Sequence, residues 1–461
     1  LLIELDATDE QLDSPVLYCC AKKGTCTDDL SKEGTDLTPL FDKIIDYFDP
    51  PEAHVEKPLI MLISSIDYND FVGRIAIGNI VNGVIKQNSE IAVCNYHDPE
   101  KFRKAKVVNR YQFEGLNRVP VTEAEAGNII ALSGIADITI GDTICAVEDP
   151  EPLPFVKISA PTMEMTFSVN DSPFAGQDGT YVTSRNIRDR LFKEMQKDVS
   201  LKVSETDSTE AFNVAGRGEM HLSILIETMR REGYEFQVSP PRIITKVIDG
   251  VKCEPIELLV ADVPEKAVGS VIEKLSNRKG ELVKMTNMGS RTKLEFLIPT
   301  RGIFGYRNEF LTDTKGEGIM ASVFDSYAPF KGELSRRNLG SLVAFETGDA
   351  VTYGLFNAQE RGQLFITPGT KVYEGMVVGI NKKSDDMAVN VCKQKQLSNM
   401  RAAGHDDKLK LTPAKEMSLE QCLEFLADDE LLEVTPNNLR IRKSILNKEQ
   451  RLKAANRKKS E

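Results

Sequence analysis

The chain has 461 residues, 41% hydrophobic and 28% charged, with a net charge of −12 at neutral pH. That length exceeds what one hydrophobic core serves, so about three to five domains are expected. The acidic balance argues against indiscriminate adhesion to polyanions, and no apolar run approaches the roughly 18 residues of a membrane helix.

The opening stretch LLIELDATDE carries acids where a secretory leader carries lysine or arginine, and it starts without methionine inside what reads as structure. A fragment of a longer chain is therefore expected. Residues 15–20 read as a buried strand. Leu37–Phe48 reads as an amphipathic helix, with Leu40, Ile44 and Phe48 on one face, Asp36 as cap and Asp49-Pro50-Pro51 as stop. Residues 1–50 thus resemble the end of an α/β domain. From 55 to 150 the pattern is of short strands without helices, and Asn82-Gly83 is the strongest hairpin signal. A small closed β-barrel is expected there. Residues 155–243 alternate as β-α-β-β-α-β, the split ferredoxin-like motif, and residues 250–330 repeat that order. Residues 331–461 form a mixed C-terminal domain: glycine-punctuated strands including AVTYGLF, a lysine-rich stretch, the helix Met417–Ala427 and a basic tail. The fold class is multidomain α+β.

Eight cysteines (Cys19, Cys20, Cys26, Cys94, Cys145, Cys253, Cys392, Cys422) form no C-x-x-C pair. They read as reduced, buried or incidental thiols of a cytoplasmic protein. His54, His97, His221 and His405 stand far apart, and no metal site is expected. Gly216-Arg217-Gly218 could cradle an anion at a helix start, but a tight strand-to-helix turn is the better reading. Asp313-Thr314-Lys315-Gly316 and Asn381-Lys382-Lys383 echo nucleotide motifs, yet no G-x-x-x-x-G-K-[ST] occurs to supply a phosphate site. Thr300–Lys315 mixes arginines and aromatics. Arg301 and Arg307 on phosphates with Phe304 or Tyr306 stacking on bases, and a packed helix with solvated arginines, are equally good readings. Two basic blocks flank the acidic segment Glu416–Glu433. One is the loop of Lys393, Lys395, Arg401, His405, Lys408 and Lys410; the other is the tail with Arg440, Arg442 and Lys443. Basic blocks in an acidic chain suit an RNA footprint.

NVAGRGEMHLSILIETMRREGYEFQVSPPRII, IPTRGIFGYRNEFLTDTKGEGIM, QLSNMRAAGHDDKL and MSLEQCLEFLADDELLEVTPNNLRIRK resemble the TypA/BipA family of translational GTPases. The order of parts resembles it too: partial α/β domain, barrel, then two ferredoxin-like domains of the elongation-factor-G domain III and V types. The resemblance implies a ribosome-binding factor of large-subunit assembly and of stress or cold adaptation. The implied partners are large-subunit rRNA and tRNA at the factor-binding or A site, with a monomeric factor and no membrane contact. GTP and magnesium are the family's cofactors. Neither is expected to bind well here, because P-loop, switch and N-K-x-D do not occur in the sequence. The resemblance places the remaining guanine-reading loop on Cys20-Ala21-Lys22, with the Ala21 N–H on the base carbonyl and Lys22 over the ring. No catalytic residue is expected in this chain. The alternative is a non-enzymatic RNA- or protein-binding scaffold; a thiol enzyme using Cys19 and Cys20 is a weaker third.

Overall fold

In the computed structural model of the chain, the described residues are 2, 5, 7–49, 53–158, 160–334, 337, 339–394 and 409–460, with the side chains of 455 and 458–460 set apart. The chain divides into two compact units, 1–155 and 156–461.

In the first unit, strand Tyr18–Cys20 pairs antiparallel with Thr25–Thr27. The expected buried strand over 15–20 is instead a three-residue exposed one. Among the described residues its only ladder is this hairpin, so its other edge has no partner strand. Helix Thr38–Tyr47 forms as expected, and the Asp36 carboxylate accepts the Thr38 N–H at 2.8 Å. That bond satisfies one of the amides that every helix start leaves unpaired. Phe41, Ile45 and Phe48 of this segment stay exposed.

Ten strands lie between Ile60 and Cys145. Eight form one antiparallel sheet running from Asp98–Lys106 at one edge to Asn117–Pro120 at the other. Those edges do not pair with each other among the described residues, so the ladder is not closed all round as expected. Val84–Lys86 and Glu123–Glu125 make a separate short ladder, and Met61, Ile63, Ile80, Ile85, Ile130 and Ile144 fill the interior. Asn82-Gly83 does not turn a hairpin. Gly83, at φ +76°, sends the chain from one sheet into the other, and a Cβ there would lie 2.7 Å from the Leu59 Cα. Only glycine fits both demands.

In the second unit both β-α-β-β-α-β orders are present. Met163–Ser168, helix Ser184–Lys197, Lys202–Glu205, Ala211–Gly216, helix Glu219–Arg231 and Phe236–Val238 make the first. Val251–Pro264, helix Val268–Asn277, Glu281–Asn287, Arg291–Pro299, helices Thr300–Ile303 and Tyr306–Asp313, and Ile319–Pro329 make the second. In the first motif, Ile187 and Leu191 of one helix and Leu222, Leu225, Ile226 and Met229 of the other pack on Phe167, Phe212 and Phe236. The apolar positions recur every three or four residues, which places them on one helical face.

The residues after 331 do not stand apart from the first motif. Strand Glu430–Val434 pairs antiparallel with Phe236–Val238, Gln237 opposite Glu433, and is followed by Leu439–Lys443. The ferredoxin-like sheet therefore continues into the C-terminal segment as one seven-stranded sheet. Helix Leu419–Phe425 lays Leu419, Cys422 and Leu423 on the same core, beside Leu432, Val434 and Ile441. A smaller core, including Leu342, Leu355, Val372, Tyr373 and Val378, serves residues 341–391. There AVTYGLF is not a strand: Thr352–Gln359 is a helix burying Gly354, Leu355 and Ala358. Val351, Tyr353 and Leu355 do alternate, but Leu355 with Ala358 also keeps helical spacing, and packing of that face decides.

Leu432→Ala removes a side chain from the shared core and is expected to cost about 2–5 kcal/mol. Hydrogen exchange should show lost protection in Met163–Ser168 as well as in Leu439–Lys443. Loss confined to the C-terminal hairpin would refute a shared sheet.

Candidate functional site

The proposed base-reading residues sit on the hairpin turn. Lys23 N–H donates to the Cys20 carbonyl at 3.1 Å and Gly24 N–H to that of Ala21 at 3.3 Å, with Gly24 at φ +65°. Ala21 and Lys22 are exposed, and the Ala21 N–H has no acceptor among the described residues. The turn thus offers one unpaired amide beside one solvated ammonium, a pair suited to a carbonyl on a flat ring. It offers no cradle for phosphates or for Mg²⁺.

The basic residues divide sharply. Lys393 and Lys410 are exposed. Lys395, Arg401, His405 and Lys408 lie outside the described residues. Arg440, Arg442 and Lys443, read from the sequence as RNA contacts, are turned inward. Arg440 pairs with Glu433 at 2.6 Å and Asp178 at 3.5 Å. Arg442, 2% exposed at its side chain, donates to Asp171 and to the Gln237 amide oxygen. Lys443, equally buried, meets Asp386 at 2.5 Å and Asp429 and Glu430 at 3.0 Å each. Burial alone would pull the Lys443 ammonium down, but Glu430, Asp386 and Asp429 outweigh it and hold it above the ordinary lysine value. A strand that enters a core takes its charges with it, and the cost of drying them is offset by partners. Charge count along the sequence does not reveal which cations already have them.

These pairs belong to a lattice that sequence reading missed. Glu433 is fully buried and accepts from Asn170 at 3.2 Å, Tyr373 at 2.9 Å and Arg440. Glu235 accepts from Asn170 at 2.8 Å and from the Gly176 and Gly179 amides at 2.6 and 2.9 Å. Asp178 accepts from Thr435 and Asn438 at 2.8 and 2.7 Å. Burial works against the Asp178 carboxylate, yet these bonds and Arg440 hold it below the usual range.

Gly216-Arg217-Gly218 forms the tight strand-to-helix turn expected of it. The Arg217 N–H donates to His221 Nδ1 at 3.3 Å, and His221 Nε2 donates to Asp198 at 2.5 Å. Burial opposes ionisation of Asp198, but His221 and Ser200 hold it well below the carboxylate range. The turn's first amide is thus already taken, while the Arg217 side chain is exposed. In Thr300–Lys315 the packed-helix reading holds for Tyr306, whereas Arg301, expected in solvent, is turned inward. Arg301 forks onto Glu254 at 2.5 and 3.0 Å and covers the Phe330 ring at 4.3 Å. Tyr306 is fully buried under Arg278. Arg307 remains exposed.

Three family models match in chain order. Elongation factor Tu domain 2 covers residues 73–145, the elongation factor G C-terminus covers 251–338, and the TypA/BipA C-terminal domain covers 339–448. The chain is 48% identical to the large ribosomal subunit assembly factor BipA of Synechocystis, over 96% of this chain and 74% of that protein. It is 47% identical to the Bacillus subtilis protein of that name, over 100% and 75%, and 45% identical to that of Escherichia coli K12, over 98% and 75%. The chain belongs to the BipA family. In this BipA-family chain the matched C-terminal domain contains Asp386, Asp429, Glu430, Glu433, Arg440, Arg442 and Lys443. The ion lattice is therefore where that domain meets the first ferredoxin-like sheet. No described helix is long and apolar enough to cross a membrane.

A carboxyl held below its ordinary value contributes stability that is complete above about pH 4 and fades as pH falls. Unfolding midpoints in urea should therefore drop between pH 6 and pH 3. Asp178→Asn should narrow that gap; an unchanged gap would remove Asp178 from the lattice's energetics.

Proposed function

We propose that the chain acts as the ribosome-binding part of a BipA-type large-subunit assembly factor. The observation that carries this reading is identity of 45–48% to proteins of that name over 96–100% of the chain. The RNA contacts fall to the basic loop, with Lys393, Lys395, Arg401, His405, Lys408 and Lys410, because Arg440, Arg442 and Lys443 are engaged by carboxylates. Large-subunit rRNA and tRNA near the factor site are the proposed partners, met by a monomeric cytoplasmic factor, with a role in stress or cold adaptation of translation. Phosphates attract such a loop through counterion release, so affinity falls steeply with salt.

GTP supplies phosphoryl chemistry to the family when bound. In this chain Ala21 would donate to the base and Lys22 would lie over it, and no residue here is assigned to phosphates or Mg²⁺. The purified chain is expected to give no Mg²⁺-dependent GTP turnover, and measurable turnover overturns this assignment.

Sedimentation with large subunits at graded salt tests the loop. Neutralising Lys393, Lys395, Arg401, Lys408 and Lys410 together should weaken binding and flatten the log–log salt slope by up to about 4. Unchanged binding would discard the loop. Arg442→Met should act otherwise, lowering stability by about 1–3 kcal/mol by leaving the buried Gln237 amide oxygen unanswered, with the salt slope of the folded fraction unchanged.

A further inference from the structure

Two pairs of cysteines stand with sulfurs 3.3 Å apart: Cys19 with Cys26 in the hairpin, and Cys94 with Cys145 in the barrel. Their surroundings differ. Cys94 and Cys145 are both buried among strands, where a dissolved reagent reaches neither. In the hairpin, Cys19 is exposed and Cys26 is buried beneath it.

The hairpin pair is also held in register. Cys19 and Cys26 are directly opposite across the ladder. The Cys26 N–H donates to the Asp36 carbonyl at 2.7 Å, so the two cysteines do not exchange both backbone bonds. Opposed residues of that kind bring their Cα atoms to about 4.5 Å, within the span that a disulfide bridges. Gly34 fixes Cys26 further: a Cβ at Gly34 would lie 2.6 Å from the Cys26 carbonyl oxygen, so the following loop is pressed against it. Burial, the Cys19 thiol and Asp28 raise the Cys26 thiol above its ordinary value. The exposed partner is then the one that reacts first.

We propose that Cys19 and Cys26 form a reversible dithiol–disulfide modification site, oxidised by a low-molecular-weight disulfide. The Cys19 thiolate attacks one sulfur of the oxidant, whose S–S bond breaks and releases one thiolate. Cys26, deprotonated, then attacks the Cys19 sulfur and expels the second thiolate. The two cysteines lose two protons and two electrons, and the oxidant becomes two thiols. The bond clamps the turn that carries Ala21 and Lys22. A consequence for base reading rests on the function proposed above; formation of the bond does not.

The test incubates the reduced full chain with glutathione disulfide, alkylates free thiols, and maps tryptic peptides without reduction. Leu1–Lys22 should appear joined to Gly24–Lys32 in the wild type and in Cys20→Ser, and separate in Cys19→Ser. Dithiothreitol should restore both thiols. Cys94 and Cys145 should join at least about tenfold more slowly, as access governs the exchange. The proposal fails if Cys19 stops as a glutathione adduct, if Cys19→Ser joins the peptides at the wild-type rate through Cys20, or if the barrel pair joins as fast.

Discussion

Glu433 is fully buried, and a lone carboxylate there would be untenable. It is satisfied by Asn170 from the loop after the first strand, Tyr373 from the C-terminal domain and Arg440 from the last hairpin. Those three residues come from parts of the chain far apart in sequence, so the carboxylate is satisfied only when all three are docked. The strand that carries it is hydrogen-bonded to Phe236–Val238, with Leu432 and Val434 in the common core. Apolar burial supplies the drive, and the polar lattice restricts the arrangement to the one in which every buried charge is answered. Tyr373, beside Glu433 and out of water, has its hydroxyl pushed well above the ordinary tyrosine value, so it remains the donor throughout the neutral range.

The same lattice redistributes charge. The acidic segment Glu416–Glu433 and the basic segment that follows look like separate surface features in the sequence. Folded back as a hairpin, they pair Glu433 with Arg440 and Glu430 with Lys443. Lys393, Lys410 and Lys415 stay exposed around the loop, Lys448, Lys453 and Arg457 stay exposed in the tail, and so do Arg217 and Arg307 on the two ferredoxin-like domains.

Much of the architecture was legible because it rests on local periodicity. Both ferredoxin-like orders could be read from helices with apolar residues at Ile187 and Leu191, or Val271 and Leu275, set between alternating strands. Position in the sheet was not legible. Nothing in ELLEV says that it pairs with FQV rather than with a neighbour, because that choice depends on the whole shared core. The Gly83 crossover failed for a related reason: Asn-Gly specifies a sharp turn but not which strand follows it. Among candidate site residues, Lys22 and Lys393 are exposed as a ligand contact requires, whereas Arg440, Arg442 and Lys443 are not. Long-range carboxylates settle that difference, and a linear reading weighs only neighbours. The Cys94–Cys145 pair is hidden in the sequence for the same reason, since its members lie far apart and meet only across strands.

Completing the first ferredoxin-like sheet with a strand from near the end of the chain has a bearing on synthesis. Roughly two hundred residues separate Val238 from its partner Leu432. At about 5–20 residues per second, the edge Phe236–Val238 stands unpaired for some 10–40 s after it is made. An open apolar edge is a site for wrong pairing, and it is closed here by the Glu430–Lys443 hairpin, made much later. A nascent chain that stops short of Lys443 therefore carries an unfinished sheet, so the Glu430–Lys443 hairpin works as an inspection mark that shorter molecules lack.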